Sequence, residues 1–278
     1  MIQFTPEPGV PHPFDAFARR LLQADWESAT GPMRISASLT LSDLADAAFL
    51  HNTRVLMAGL AAEQGTPTTA TGNLNRAFIG RLFDRLALSA PTRKSIRTVC
   101  KVVNEQDVWP LHMARVVAEP AGLLARRNKR FQLTKAGREL LPDEQAGALY
   151  RRVFLAYFRR FNLQYDFILR AVPLIQQSFA VILWRLDTVV RDWTPVRGLA
   201  RKILLQHVFE QLHAAMTFPH DTEEWILGGY VLDPLFDLGL IERKPRSEWP
   251  SVTENDQIRT SALWRKFITF EPWSGRAP

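Results

Sequence analysis

Apolar residues recur at helical spacing in several stretches of this chain. From Ser42 to about Glu63 the repeat is Leu44, Ala48, Val55, Leu56 and Leu60. Ser42 or Thr40 can cap this helix, and Gly65 stops it. Leu74, Phe78, Ile79, Leu82, Phe83 and Leu86 form the core face of a second helix, capped by Asn73, whose other face carries Arg76, Arg81 and Arg85. A third starts at Asp107, turns Leu111, Ala114 and Val117 inward, and ends at Gly122. Pro110 is tolerated in its first turn, where N–H groups lack helical partners. Between the second and third helices, residues 88–104 read as a basic loop with at most one helical turn. Residues 66–70 are short and β-branched, which predicts a brief strand. Residues 123–126 and 130–133 predict a hairpin whose turn holds Asn128, and Thr134 caps a short helix through Leu141.

The predicted order of helix, short strand, helix, helix, hairpin, helix is that of a winged helix-turn-helix. Residues 144–190 predict two long helices. Leu149, Val153, Ala156 and Tyr157 form the stripe of the first, Arg152 and Arg159 share one of its faces, and Pro173 kinks or splits the second. Trp193, Thr194 and Pro195 read as a loop. A fainter copy of the pattern follows. An amphipathic run from Val196 to Thr217 precedes a helix opened by a capping-box-like Asp221 and Glu224 and closed by Gly239. Leu240 to Arg243 and Gln257 to Thr260 read as strands, and Ser261 to Phe270 as a helix. The expected fold is therefore mainly α with small β-hairpins, as tandem winged helix-turn-helix domains joined by a helical segment. Its parts would be an N-terminal arm at 1–38, with one short helix from Phe14 to Gln23, a first domain at 39–142, a helical linker or dimerisation segment at 143–195, and a second domain at 196–278.

Charge sharpens this outline. The net charge is +7 over 278 residues. Residues 76–160 hold 18 Lys and Arg against 7 Asp and Glu, a balance of +11, so the remainder is −4. The basic excess thus coincides with the first winged-helix pattern and favours an acidic partner. Arg126, Arg127, Lys129 and Arg130 crowd the wing tip, where nothing in a core requires them. Neutralising phosphates there would release counterions. Arg93, Lys94, Arg97 and Lys101 in the basic loop, and Arg152 and Arg159, extend the candidate surface. The second helix of such a motif commonly enters the major groove. Here it offers only His112 and Arg115 among the acids Glu105, Asp107 and Glu119, which predicts backbone-directed, weakly sequence-specific contact.

Two segments carry a resemblance. Thr69-Ala70-Thr71-Gly72-Asn73-Leu74 is one. The other is Ala121-Gly122-Leu123-Leu124 with Leu133-Thr134-Lys135-Ala136-Gly137-Arg138-Glu139-Leu140-Leu141. Both look like parts of an uncharacterised bacterial family named after an open reading frame of a Ri plasmid. The resemblance covers mainly residues 40–141. It implies a winged-helix fold and a mobile-element or defence context, with no activity to carry over.

Catalytic chemistry is not in view. The six histidines are scattered, one cysteine allows neither a disulfide nor a thiolate cluster, and no phosphate-binding glycine loop or metal-binding helix motif occurs. No enzyme activity, metal or cofactor is expected. Cys100 sits beside Arg97 and Lys101, cations that could lower a thiol pKa. No signal peptide or membrane span is read, so a cytoplasmic protein is expected. The leading expectation is a non-catalytic protein that binds double-stranded DNA, as a regulator or as a component of a mobile-element or defence system. The rival is a protein-protein adaptor using Trp249, Trp273 or the N-terminal arm. The long helices leave room for a homodimer.

Overall fold

A computed structural model describes residues 13–165, 172–216, 222–245 and 251–271. In chain order the elements of the first part are α1 (Pro13–Leu22), β1 (Met33–Ile35), α2 (Ala48–Ala62), β2 (Thr66–Pro67), α3 (Arg76–Phe83), α4 (Ala90–Val99), α5 (Trp109–Ala118), β3 (Leu124–Arg127), β4 (Arg130–Leu133) and α6 (Lys135–Glu139). Next come α7 (Ala146–Leu155), a π turn (Ala156–Arg160), α8 (Pro173–Gln177) and α9 (Phe179–Val189). The last part holds β5 (Thr194–Pro195), α10 (Leu199–Ile203), α11 (Gln206–Ala215), α12 (Glu223–Leu227), a second π turn (Gly228–Leu232), α13 (Asp233–Asp237), β6 (Ile241–Lys244), β7 (Gln257–Thr260), α14 (Ala262–Phe267) and β8 (Ile268–Phe270). The fold is mainly α with small antiparallel hairpins.

The two halves share one construction. Three-stranded sheets of order β2-β4-β3 and β5-β7-β6 stand in equivalent places. In both, a Thr-Pro pair forms the edge strand, Thr66 opposite Phe131 and Thr194 opposite Ile258. Proline suits an edge because its missing N–H removes nothing from the ladder. In both, a glycine with positive φ closes the preceding helix, Gly122 at 68° and Gly239 at 74°. The next amide then reaches back into that helix, Leu123 N to Ala118 O at 3.0 Å and Leu240 N to Leu235 O at 2.9 Å. Gly239 is doubly constrained, since a Cβ there would lie 3.2 Å from the backbone of Asp46 and Ala47. A hydroxyl after the hairpin completes each copy. Thr134 donates to Gly122 O and Ser261 to Gly239 O, both at 2.7 Å, and each caps the following helix. The structural partner of Thr134 is thus Ser261, one residue beyond the Thr260 that the sequence pattern suggests.

Both units also place a buried glutamate at the start of the third helical layer. Glu105 accepts from the amide of Leu74, ahead of α3, and Glu224 accepts from the amide of Gly198, ahead of α10. α9, the first helix of the second unit, lies inside the stretch expected to be a linker.

Several elements differ from the sequence reading. α2 begins at Ala48, because residues 40–46 form turns in which Thr40 donates its amide and hydroxyl to Asp43. Asn75, not Asn73, caps α3 through its contact with the Phe78 amide at 3.0 Å. Residues 90–99 are a full helix, capped by Ser89, and none of it is buried. The run from Val196 is split into α10 and α11, and Thr194–Pro195 is strand rather than loop. Thr222 caps α12, while Asp221 lies outside the described residues. The last predicted helix stops at Phe267 and becomes β8. β8 pairs with β1, Met33 opposite Phe270, which ties the N-terminal segment to the C-terminal one. Phe17, Leu21, Trp26, Met33 and Ile35 are accordingly buried in the common core rather than displayed as an arm. No helix among the described residues is long and apolar enough to cross a membrane.

Candidate nucleic-acid interface

The β3–β4 hairpin, the wing of the sequence-based expectation, has the shortest of turns. Arg127 faces Arg130 across a two-residue turn in which Asn128 and Lys129 both adopt positive φ, 50° and 55°. That turn matches the right-handed twist of the strands, and the asparagine tolerates its conformation. Arg126, Arg127 and Lys129 are exposed, and no acidic partner is found for them among the described residues. Residues 68–72 lie alongside. Thr68 donates its amide to Lys129 O at 2.9 Å, the Thr69 and Thr71 hydroxyls stand 3.0 Å apart, and Gly72 has φ of 81°. A Cβ on Gly72 would come within 2.7 Å of Arg126 Nη1, so glycine lets the guanidinium lie against this loop. Thr68, Thr69, Thr71, Gly72, Arg126 and Lys129 line an open hollow with cations, hydroxyls and backbone amides. The sequence reading took these threonines for a strand and a turn, and only their clustering before a helix cap hinted at more.

The other candidate cations divide by what they touch. Arg93 donates to Phe83 O at 2.6 Å and Leu86 O at 2.7 Å, capping α3. Arg152 does the same for α5 through Ala121 O at 2.6 Å. Arg130 donates to Gly65 O at 2.9 Å. These three hold carbonyls at element ends. Arg97 pairs with Asp84 at 2.5 Å and stacks on Phe83. Lys94 and Lys101 are exposed. Arg159 lies over Trp26 at 5.3 Å. Arg152 and Arg159 therefore form no common stripe, because a π turn intervenes and shifts the helical register. The two long helices expected at 144–190 are correspondingly broken into shorter pieces.

α5 departs most from expectation. Every residue from Leu111 to Ala118 is buried. His112 and Arg115 serve the interior, with His112 Nδ1 and Arg115 Nε each 2.7 Å from Glu105 Oε1. Arg115 also donates to Glu119 at 2.6 Å. Burial would push the Glu105 carboxyl up, but the His112 hydrogen bond, the Arg115 charge and the Leu74 amide outweigh it and hold the pKa below its usual value. Neither residue faces solvent as a DNA contact. Cys100 is likewise corrected, for its thiol is pushed up by desolvation and by the nearby Asp107 rather than lowered by Arg97 and Lys101. Trp249, Trp273 and the first twelve residues, candidates for a partner surface, lie outside the described residues.

Residues 45–148 match a family model, the Y4jL N-terminal domain, from a family of plasmid-associated open reading frames. The match takes in the first unit from α2 to α6 and encloses both segments on which the sequence resemblance rests. No curated protein and no solved structure matches the chain.

Proposed function

We propose that the chain consists of two winged-helix units and that the first holds double-stranded nucleic acid by its phosphate backbone, through the wing and the 68–72 loop. The observation that carries this reading is the hollow in which Arg126 and Lys129 face threonine hydroxyls with no acidic partner among the described residues. Arginine forks, hydroxyls and backbone amides are phosphate ligands. The two units' shared strand order, glycine stops and hydroxyl caps support the winged-helix assignment. With α5 buried, base reading by a helix in the major groove is not part of the proposal, so contact is backbone-directed and indifferent to sequence. Binding alone, without catalysis, is proposed. The match to a plasmid-associated family makes a mobile-element or defence setting the natural place to look.

Fluorescence anisotropy on random duplex tests this. Affinity should fall steeply with salt, by about 40-fold between roughly 50 and 200 mM if three phosphates are neutralised. Changing Arg126, Arg127 and Lys129 together to Glu should weaken that binding by about 30-fold. Absence of binding at about 50 mM salt, or binding without a salt slope, overturns the reading.

One observation favours the adaptor reading instead. α4 is a helix with no buried residue, and Val99 and Val102 near its end are 75% and 50% exposed. An apolar edge held in water suits a protein partner. Capture of a partner by the wing-reversed chain, lost on Val99→Asp, would support it.

A further inference from the structure

At the junction of the two units lies a cavity of about 350 Å³, within the range of small-molecule sites. Six aromatic rings line it, those of Phe49, Trp109, Tyr157, Phe161, Tyr165 and Trp225, with the carboxylates of Asp233 and Asp237. Among the described residues no Lys, Arg or His lines it, in a chain whose net charge is +7. Trp109, Tyr165 and Trp225 are 42%, 47% and 42% exposed, so three of the large aromatic residues left in water converge on one opening. Scattered exposed aromatics need no explanation, but rings gathered around a concavity do.

The backbone is unusual at the same place. Each of the two π turns sends a residue to the wall, Tyr157 from one and Gly229 from the other. Single π turns inside helices concentrate at functional sites. Asp233 and Asp237 are four residues apart on α13, a spacing that sets like charges side by side at a cost. Asp233 accepts from the Val252 amide at 2.7 Å, which fixes one of its oxygens. Removal from water pushes the Asp233 carboxyl up to about 6, against hydrogen bonds from the Val252 amide and the Ser251 side chain and against the charge of Arg243, which is itself paired with Asp256. Desolvation first and the Asp233 charge second push Asp237 up to about 7, although its side chain keeps a solvent-facing edge that screens it. Two carboxylates held at this cost are poised for a counterion.

We propose that the cavity binds a small organic cation, an ammonium or guanidinium on an apolar body. The carboxylates would neutralise the head group, and the rings would hold the rest by cation–π and apolar contact. Hydrated inorganic cations gain little from such walls, and anions are repelled by both carboxylates.

Tryptophan fluorescence of the full chain can report binding through Trp109 and Trp225. The probes are benzyltrimethylammonium, tyramine and agmatine, with benzyl alcohol as neutral control and benzoate as anionic control. At least one cation should quench saturably and bind about tenfold or more tightly than either control. Asp233→Asn and Trp225→Ala should each weaken that cation by about tenfold. Circular dichroism checks that each variant folds, and Asp237→Asn serves as a second carboxylate variant. No saturable binding by any of the three cations up to about 10 mM overturns the proposal, as does equal affinity for benzyl alcohol. A short arginine-containing peptide that binds more tightly than agmatine would also overturn it, in favour of a partner's side chain. None of these readouts depends on nucleic acid, so the wing and the cavity stand or fall separately.

Discussion

The β3–β4 and β6–β7 hairpins stand on one scaffold but carry their charge differently. In the first, the tip carries Arg126, Arg127 and Lys129 outward without an acidic partner among the described residues. In the second, the strands neutralise themselves. Arg259 holds Glu242 at 2.6 Å, and Arg243 holds the buried Asp256 at 2.9 Å. Strand order, edge proline and glycine stop are the same, so backbone geometry does not set surface charge. The units differ inside as well. Glu105 anchors a histidine and an arginine beneath α5, whereas Glu224 accepts the Gly198 amide, with no ion pair found for it among the described residues. The first unit thus buries charge in its core and keeps cations at its tip.

The largest effect that should separate the units comes from their buried glutamates. Glu105→Gln leaves the buried Arg115 guanidinium with only the partly exposed Glu119 as counter-charge and should cost about 3 kcal/mol in urea unfolding. Glu224→Gln keeps a carbonyl for the Gly198 amide and should cost about 1 kcal/mol or less. Equal losses would mean that the two acids play the same part.

Next comes the position three residues after each hydroxyl cap. Gly137 occupies it in the first unit, and a Cβ there would approach Leu123 O to 2.2 Å. Gly137→Ala should therefore destabilise by about 1–3 kcal/mol in thermal or urea melts. The second unit places Trp264 at the same point, buried and bonded to Asp187 at 2.8 Å.

The wings themselves should separate on binding rather than on stability. Reversing Arg126, Arg127 and Lys129 should remove about 2 kcal/mol of duplex affinity at low salt while shifting stability by less than about 0.5 kcal/mol. Reversing Arg259 in the second wing should leave duplex affinity unchanged, because its charge is already matched by Glu242.

The smallest effect is one of pH. With its pKa raised to about 7, Asp237 holds a proton in the folded state that the unfolded chain releases near pH 4. The native state thus binds more protons between those values, and stability falls as pH rises through this window. Asp237→Asn should remove its own share of that fall and leave the share of Asp233, whose carboxyl is raised to about 6. Its melting temperature should exceed that of the parent at about pH 8 and match it at about pH 4, the gap being worth about 1 kcal/mol or less because solvent screens the group. An unchanged pH profile would show that Asp237 titrates normally.

Element order was legible in the sequence wherever local chemistry decides it. The six-residue core face of α3 is buried as its spacing predicts, Gly122 and Gly239 stop their helices, and Thr134 caps α6. Even the fainter second copy could be read, because glycine, strand, strand and hydroxyl cap are local signals. Residues 90–99 were misread because nothing in them is buried, so no apolar period marks the helix, and capping by Ser89 with the Arg93 and Arg97 contacts to α3 holds it instead. The basic window was a property of the sequence, but which of its charges remain available was not. Arginines that cap a carbonyl and arginines that face water look the same along a chain.

Packing between distant segments settled the rest. The pairing of β1 with β8, the burial of α5 against α2 and the gathering of Trp109, Tyr157, Trp225 and Asp233 around one cavity join residues far apart in the chain. The sequence by itself determined the helices, the wings and the sign of the first unit's charge, since propensity, capping and composition are local. Only the tertiary structure decided that His112 and Arg115, candidate contacts by sequence, are interior and that aromatic rings and carboxylates share a pocket. Those facts depend on which surfaces meet, and no local pattern encodes that.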